Sequence, residues 1–265
     1  MKKGFFFAAA LMFILCSSTS FAGYYKMANS LPANPAKFQD PMNILKELSE
    51  PSEGLDLLKW VFVNSNMPAP IEKYKREIHF GKWKKDPASG TCYDTRGRIL
   101  AAGSEVPVVN SATNNCVVTT GKWYDPYSAQ TFYSANDIQI DHVVALHDAY
   151  QTGASTWTPS RRCLYSNFMG NKVHLLAVKG TENQLKSDKT PAGYMPPNAN
   201  YRCEFLHNWL AIKLIWNLAM TEAEVQGIKR EMTNNNCAQQ DFVLDKDFVA
   251  EQSKYIQANL GFCQP

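Results

Sequence analysis

No two cysteines of this chain stand in C-x-x-C spacing, so the paired-thiolate pattern of a structural zinc site is missing. No H-E-x-x-H occurs, and no serine or cysteine nucleophile motif, which leaves a peptidase reading without machinery. The formal charge is only +3 over 265 residues. Any nucleic-acid contact must therefore come from a local basic patch and not from a generally basic surface. Beyond the first residues no apolar run approaches the length of a membrane span.

What is present starts with MKKGFFFAAALMFILCSSTSFAG. Two lysines, an apolar run from Gly4 to Leu15 and small residues at Ser20 and Ala22 read as a secretory signal peptide, residues 1–22, cleaved after Ala22. The apolar run is short for a membrane anchor, and the bulky Leu15 before Cys16 argues against a lipoprotein site. Losing Lys2 and Lys3 lowers the charge from +3 to +1, and losing Cys16 leaves six cysteines of seven. An even set in an exported chain points to three disulfides, with fifteen possible connectivities. The preferred pairing is Cys92 with Cys116, Cys203 with Cys237, and Cys163 with Cys263. The expected location is secreted or periplasmic.

Residues 23–70 read as an N-terminal helical extension, with helical patterns in MNILKELSE (42–50) and LDLLKWVFV (55–63) separated by Pro-Ser-Glu-Gly. A partner-binding arm fits the same residues. Residues 71–265 form the main domain. REIHFGKW, RGRILAAGSEVPVV and NCVVTTGKWYDPYSAQTFY read as strands and turns. IQIDHVVAL reads as a strand and HDAYQTGAS as a short helix ending near Gly153. Residues 155–169 read as loop, KVHLLAV (172–178) as a strand, and ENQLKSDK as a helix capped by Thr181. The spacing predicts a long helix in CEFLHNWLAIKLIWNLAM, a capping box at Thr221 and Glu224, and a last amphipathic helix over 245–260.

Chemistry concentrates in IQIDHVVALHDAY (138–150) and GNKVHLLAVKGTENQLKSDK (170–189). Hydrolysis of a phosphodiester needs an activated water and a means of neutralising charge on the leaving oxygen. A histidine can serve the first and one hard divalent cation the second. Asp141 and Asn183 are oxygen ligands of the type Mg²⁺ accepts, and His142 titrates near working pH. Strand alternation sends Asp141 and His142 to opposite faces, so they share a site only if the strand twists or ends there. Read alone, Asp141 could cap a turn and His142 could be a core histidine. Four lysines, Lys172, Lys179, Lys186 and Lys189, crowd the second stretch; a solvated face and a phosphate-facing patch suit them equally. His147 and His174 are less favoured as functional groups.

Ile140-Asp141-His142-Val143-Val144, then Asn171-Lys172-Val173, then Asn183-x-x-Lys186 together resemble the HNH endonuclease pattern of the ββα-metal superfamily. The wider stretch through YRCEFLHNWLAIK is similar to secreted bacterial HNH-family proteins related to the nuclease domain of GmrSD-type restriction enzymes. The resemblance covers Tyr74 to Cys237 and is strongest over 138–216. It implies an α+β fold with a ββα-metal core, added strands and C-terminal helices. It implies His142 as general base, Asp141 and Asn183 as ligands of Mg²⁺ or Mn²⁺, and Asn171 as the residue that holds the loop and orients His142. It implies Lys172, Lys186 and Arg202 as nucleic-acid contacts. The family's last position is Asn183 here instead of histidine, an accepted variant that weakens any case for zinc or nickel.

The expected function is that of a secreted endonuclease with low sequence specificity, acting on DNA, with RNA as the second substrate. No membrane contact is expected after signal removal, and an inhibitor partner is unknown. The rival from another class is a non-catalytic envelope or carbohydrate-binding protein using Trp83, Trp123, Tyr124 and Trp157 as stacking surfaces.

Overall fold

The computed structural model describes residues 55–58 and 69–263. The expected signal peptide and nearly all of the expected 23–70 extension lie outside the described residues, including the helical pattern at 42–50. Leu55–Asp56, expected to begin a helix, form a two-residue strand (β1) paired antiparallel with Val243–Leu244. Pairing with a segment almost two hundred residues away is a tertiary contact that no local pattern announces.

The region expected to be mostly strand contains two helices. Arg76–His79 make one turn (α1), and Thr95–Gly103 a longer helix (α2). Asp94 starts α2 by accepting a hydrogen bond from the Gly97 amide at 2.8 Å, satisfying one of the free donors of the first turn. The apolar run of Ile99 and Leu100 suggests a strand, but the cap and the two alanines after it favour helix. Strands and turns do form in the later part of this region, as expected. Val109–Asn110 (β2), Val118–Asp125 (β3) and Gln130–Ser134 (β4) make an antiparallel sheet in that order. Trp123 of β3 is buried and donates its indole N–H to the Leu100 carbonyl at 2.8 Å, which ties α2 to the sheet.

Ile138–His142 (β5) follows, then Leu146–Gln151 (α3) and Pro159–Ser166 (α4). Helix α4 replaces most of the expected loop. Thr158 caps it and Pro159 occupies its first turn, where a missing N–H costs nothing. Leu175–Lys179 (β6) pairs antiparallel with β5 from Ile138↔Lys179 to His142↔Leu175. It runs straight into Gly180–Lys186 (α5), with no side-chain cap, so Thr181 lies inside the helix.

Arg202–Trp216 (α6) is the long expected helix, and eleven of its fifteen residues are buried, so it is enclosed on most sides instead of half-exposed. Phe205, Leu206, Trp209, Ile212 and Trp216 pack there with Tyr165, Phe168 and Val144. Each such side chain contributes about 1.5–3 kcal/mol by leaving water. The one cation buried in α6, Lys213, reaches Asp148 of α3 at 2.9 Å and Glu224 at 3.3 Å. Glu224 lies on Glu222–Asn234 (α7), which opens with the expected capping box at Thr221. Val243–Leu244 (β7) and Lys246–Asn259 (α8) complete the chain.

The three disulfides are Cys92–Cys116, Cys163–Cys263 and Cys203–Cys237, the preferred pairing. Cys163–Cys263 closes the longest loop and fastens the end of α8's segment to α4. None of the described helices is long and apolar enough to cross a membrane.

Candidate active site

Side chains two apart on a strand share a face, and side chains three apart on a helix share a face. On β5 this groups Gln139 with Asp141. On α5 it groups Asn183 with Lys186. The two pairs meet in register: Asn183 donates its side-chain N–H to Gln139 Oε1 at 2.8 Å, and Lys186 Nζ donates to Asp141 Oδ1 at 2.8 Å. Lys186 also donates to the His142 carbonyl at 2.9 Å and has no exposed surface. The other oxygen of Asp141, Oδ2, accepts the Tyr127 hydroxyl at 2.6 Å. Burial pushes the Asp141 carboxyl above its ordinary pKa, and Lys186 and Tyr127 work against that by bonding to the charged form.

His142 leaves β5 on the opposite side. Its ring stacks parallel on Trp83, 5.4 Å between centroids, and its Nε2 meets the Ser166 carbonyl at 3.0 Å. A carbonyl only accepts, so Nε2 carries the proton and Nδ1 keeps the lone pair. Burial, His174 and the nearby Arg76 and Lys186 charges hold His142 well below the ordinary histidine range, so it is neutral at pH 7. The alternation problem is resolved because β5 ends at His142. Asp141 and His142 point apart yet both line one cleft of about 1020 Å³ with Asn183 and Gln139.

The segment at 69–76 also lines the cleft, contributing Lys73, Tyr74 and Arg76. Arg76 sits 5.6 Å over the Trp83 ring. Tyr74 stacks at 4.9 Å on His147, whose Nδ1 lies 2.7 Å from Asp188 at the cleft edge. His147 was the less favoured imidazole in the sequence, yet it too faces this cleft.

The three cations expected to contact nucleic acid do not line the cleft. Lys186 is buried against Asp141, because an unpaired carboxylate there would be costly. Arg202 bonds the Pro196 carbonyl and Asn235 at the start of α6. Lys172 is exposed outside the cleft lining. Lys73 and Arg76 line the cleft instead, from a segment whose pattern carries no site signal.

Asn171 does not orient His142. Its Oδ1 accepts the amides of Val173 and His174 at 3.0 and 2.9 Å, and its side-chain N–H reaches Gln252 of α8. It shapes the turn that enters β6. The orienting work falls to Ser166 and Asn167, at the end of α4, in a stretch expected to be loop. Asn167 Oδ1 accepts the Lys84 amide at 2.8 Å and the Thr95 hydroxyl at 2.7 Å, and its N–H groups reach the Lys82 and Cys163 carbonyls. It thereby holds both neighbours of Trp83, the ring on which His142 lies. Only the helix-terminal position of an asparagine could have flagged it.

His174 is the second buried imidazole. Its Nε2 donates to the Tyr165 carbonyl at 2.8 Å, while Nδ1 is buried without a partner among the rings of Tyr165, Phe168 and Trp216. Burial lowers its pKa from 6.5 to about 4. The folded state therefore resists a proton that the unfolded chain accepts, so stability is complete above pH 6.5 and is lost as pH falls toward 4. Urea midpoints measured across that window should fall more steeply for the wild type than for His174→Gln. Equal slopes would remove His174 from the acid response.

Among the described residues no three His, Cys, Asp or Glu side chains group as a metal cage. The oxygen set at the cleft suits a different kind of ion. With its amide nitrogen committed to Gln139, Asn183 has Oδ1 left over, and each Asp141 oxygen keeps a second lone pair beyond its one hydrogen bond. One carboxylate and one amide oxygen fit a hard divalent cation that retains most of its water, such as Mg²⁺ or Mn²⁺.

The proposed stacking residues of the carbohydrate-binding alternative do not form one surface. Trp123 is buried, Trp83 lies on His142, and Trp157 packs on Trp216 at 5.6 Å, leaving Tyr124 exposed.

No solved structure matches the chain. An uncharacterized secreted protein of Arthroderma benhamiae is 35% identical over 193 residues, which cover 72% of this chain and 87% of that protein. The model of the family described as GmrSD restriction endonucleases, C-terminal domain, matches residues 95–230, from the start of α2 into α7 and across the whole β5–β6–α5 unit. By that match, the chain belongs to the family of the GmrSD restriction endonuclease C-terminal domain.

Proposed function

We propose that this protein is an exported, metal-dependent endonuclease that hydrolyses phosphodiester bonds of DNA, with RNA as a second substrate, and that β5, β6 and α5 are its ββα-metal core. The observation that carries the reading is the state of His142: neutral, fixed by Ser166 and Trp83, with the Nδ1 lone pair free on a residue that lines the cleft. Such a group takes a proton from water and so generates the attacking hydroxide. Lys73 and Arg76, which line the same cleft, would hold phosphate oxygens by charge-assisted bonds. Asp141 and Asn183 would hold Mg²⁺ or Mn²⁺, which when bound supplies positive charge opposite the leaving oxygen. Lys186 and Tyr127 keep the Asp141 carboxylate fixed and facing that position.

Export is supported by the leading lysines and apolar run, by three disulfides, and by the relative described as secreted. Residues 1–22 are read as its signal and residues 71–265 as its nuclease domain. Low sequence specificity is part of this reading. The test is degradation of plasmid DNA and single-stranded RNA by the mature protein with Mg²⁺, with Mn²⁺ and with EDTA. Cutting should occur with either metal and stop in EDTA. Intact substrates under all three conditions would sink the nuclease reading, and cutting in EDTA would sink its metal.

A further inference from the structure

Asn183 can serve a cation only through its oxygen, yet an amide side chain can present either end. What chooses the end is the neighbour across the strand–helix contact. Gln139 Oε1 sits 2.8 Å from Asn183 Nδ2, and an oxygen there accepts only from the nitrogen end. We propose that Gln139 is a positioning residue that fixes the Asn183 amide with Oδ1 toward the cleft, and so sets the affinity of the site for a divalent cation. The inference rests on the metal reading of Asp141 and Asn183 given above.

Three features make Gln139 suited to this task. It lies two residues before Asp141 on the same face of β5, so one rigid strand aligns both the carboxylate and the residue that steers the amide. It is half-buried and lines the same cleft, so its bond to Asn183 is partly shielded from competing water. Its own amide is held close to the start of α5. A Cβ placed on Gly180 would lie 3.3 Å from Gln139 Nε2 and 3.4 Å from the Asp137 carbonyl, tighter than most such contacts. The bare α-carbon of Gly180 lets the helix come down onto the Gln139 amide, and the Gly180 N–H anchors that approach by donating to Asp137 at 2.8 Å. Partners one step removed from a metal commonly tune its affinity by orienting the ligand.

The experiment is calorimetric titration of the mature, disulfide-intact protein with Mn²⁺, comparing wild type, Gln139→Leu, Gln139→Glu and Asn183→Ala, with thermal midpoints recorded for each. Gln139→Leu removes the acceptor and should weaken Mn²⁺ binding by about 10–100-fold. Gln139→Glu keeps an acceptor at the same place and should bind at least as tightly as wild type. A leucine variant that binds Mn²⁺ like wild type overturns the proposal. So does a glutamate variant that loses binding, because Asn183 would then have been receiving a hydrogen bond at its oxygen instead of donating one. In both of those cases Asn183→Ala would still bind weakly, and the metal reading would stand. A wild type that takes up no Mn²⁺, or an alanine variant that binds like wild type, overturns the metal reading and this proposal together.

Discussion

Lys186→Met should destabilise the folded protein by about 3–5 kcal/mol, the usual cost of removing one partner from a buried ion pair. Asp141 is 3% exposed and Lys186 is fully enclosed, so water cannot replace the lost ammonium. The Asp141 carboxylate would be left with the Tyr127 hydroxyl alone, and burial already drives its pKa upward. The His142 carbonyl would lose its Lys186 bond as well. The loss is a penalty for stranding a charge more than a measure of what the pair contributes. The double variant Asp141→Asn, Lys186→Met should therefore recover part of the stability, since the residues interact directly and their effects cannot add. Urea unfolding with the disulfides intact gives both numbers. A single variant within about 1 kcal/mol of wild type, the range of an exposed pair, would mean that Lys186 is not the buried counter-charge described here.

His142→Ala should lower the rate of phosphodiester cleavage by about 10²–10⁴-fold, the usual contribution of a general base. The substitution also removes the Trp83 stack and the Ser166 bond, and a cost of about 1–3 kcal/mol is expected for losing them. Rates must accordingly be compared well below the midpoint of the weaker variant, with fold checked by circular dichroism. A folded His142→Ala protein that cuts at the wild-type rate would move the base elsewhere. His147 is then the next residue to replace, since it lines the same cleft and is held by Asp188.

Much of this architecture was legible in the residues. The alternation of IQIDH, the second apolar run and the polar helix after it mark β5, β6 and α5, and the spacing Asn183-x-x-Lys186 puts two polar side chains on one helical face. The Thr221–Glu224 box and the long apolar period of α6 were equally readable, and so was a three-bridge framework from six cysteines. Each of these signals is local or periodic, and periodicity is what backbone geometry imposes on a chain. The short helices α2 and α4 stand where strand and loop are expected, because the caps at Asp94 and Thr158 each start a helix.

What no local pattern carries is the identity of the partner that fills a given lone pair. Asp141 is held by Tyr127 from before it and Lys186 from after it, His142 by Trp83 and Ser166, and the two neighbours of Trp83 by Asn167. The resemblance to the HNH pattern implies Lys186 as a phosphate contact, and a lysine beside a site is usually solvated. The fold buried it because α5 packs on β5, where its ammonium meets the enclosed carboxylate directly. The residue types that can do the chemistry are a property of the sequence. Which of them face the cleft, and in which protonation state, was decided by desolvation and hydrogen bonding across segments that meet only when the chain is folded.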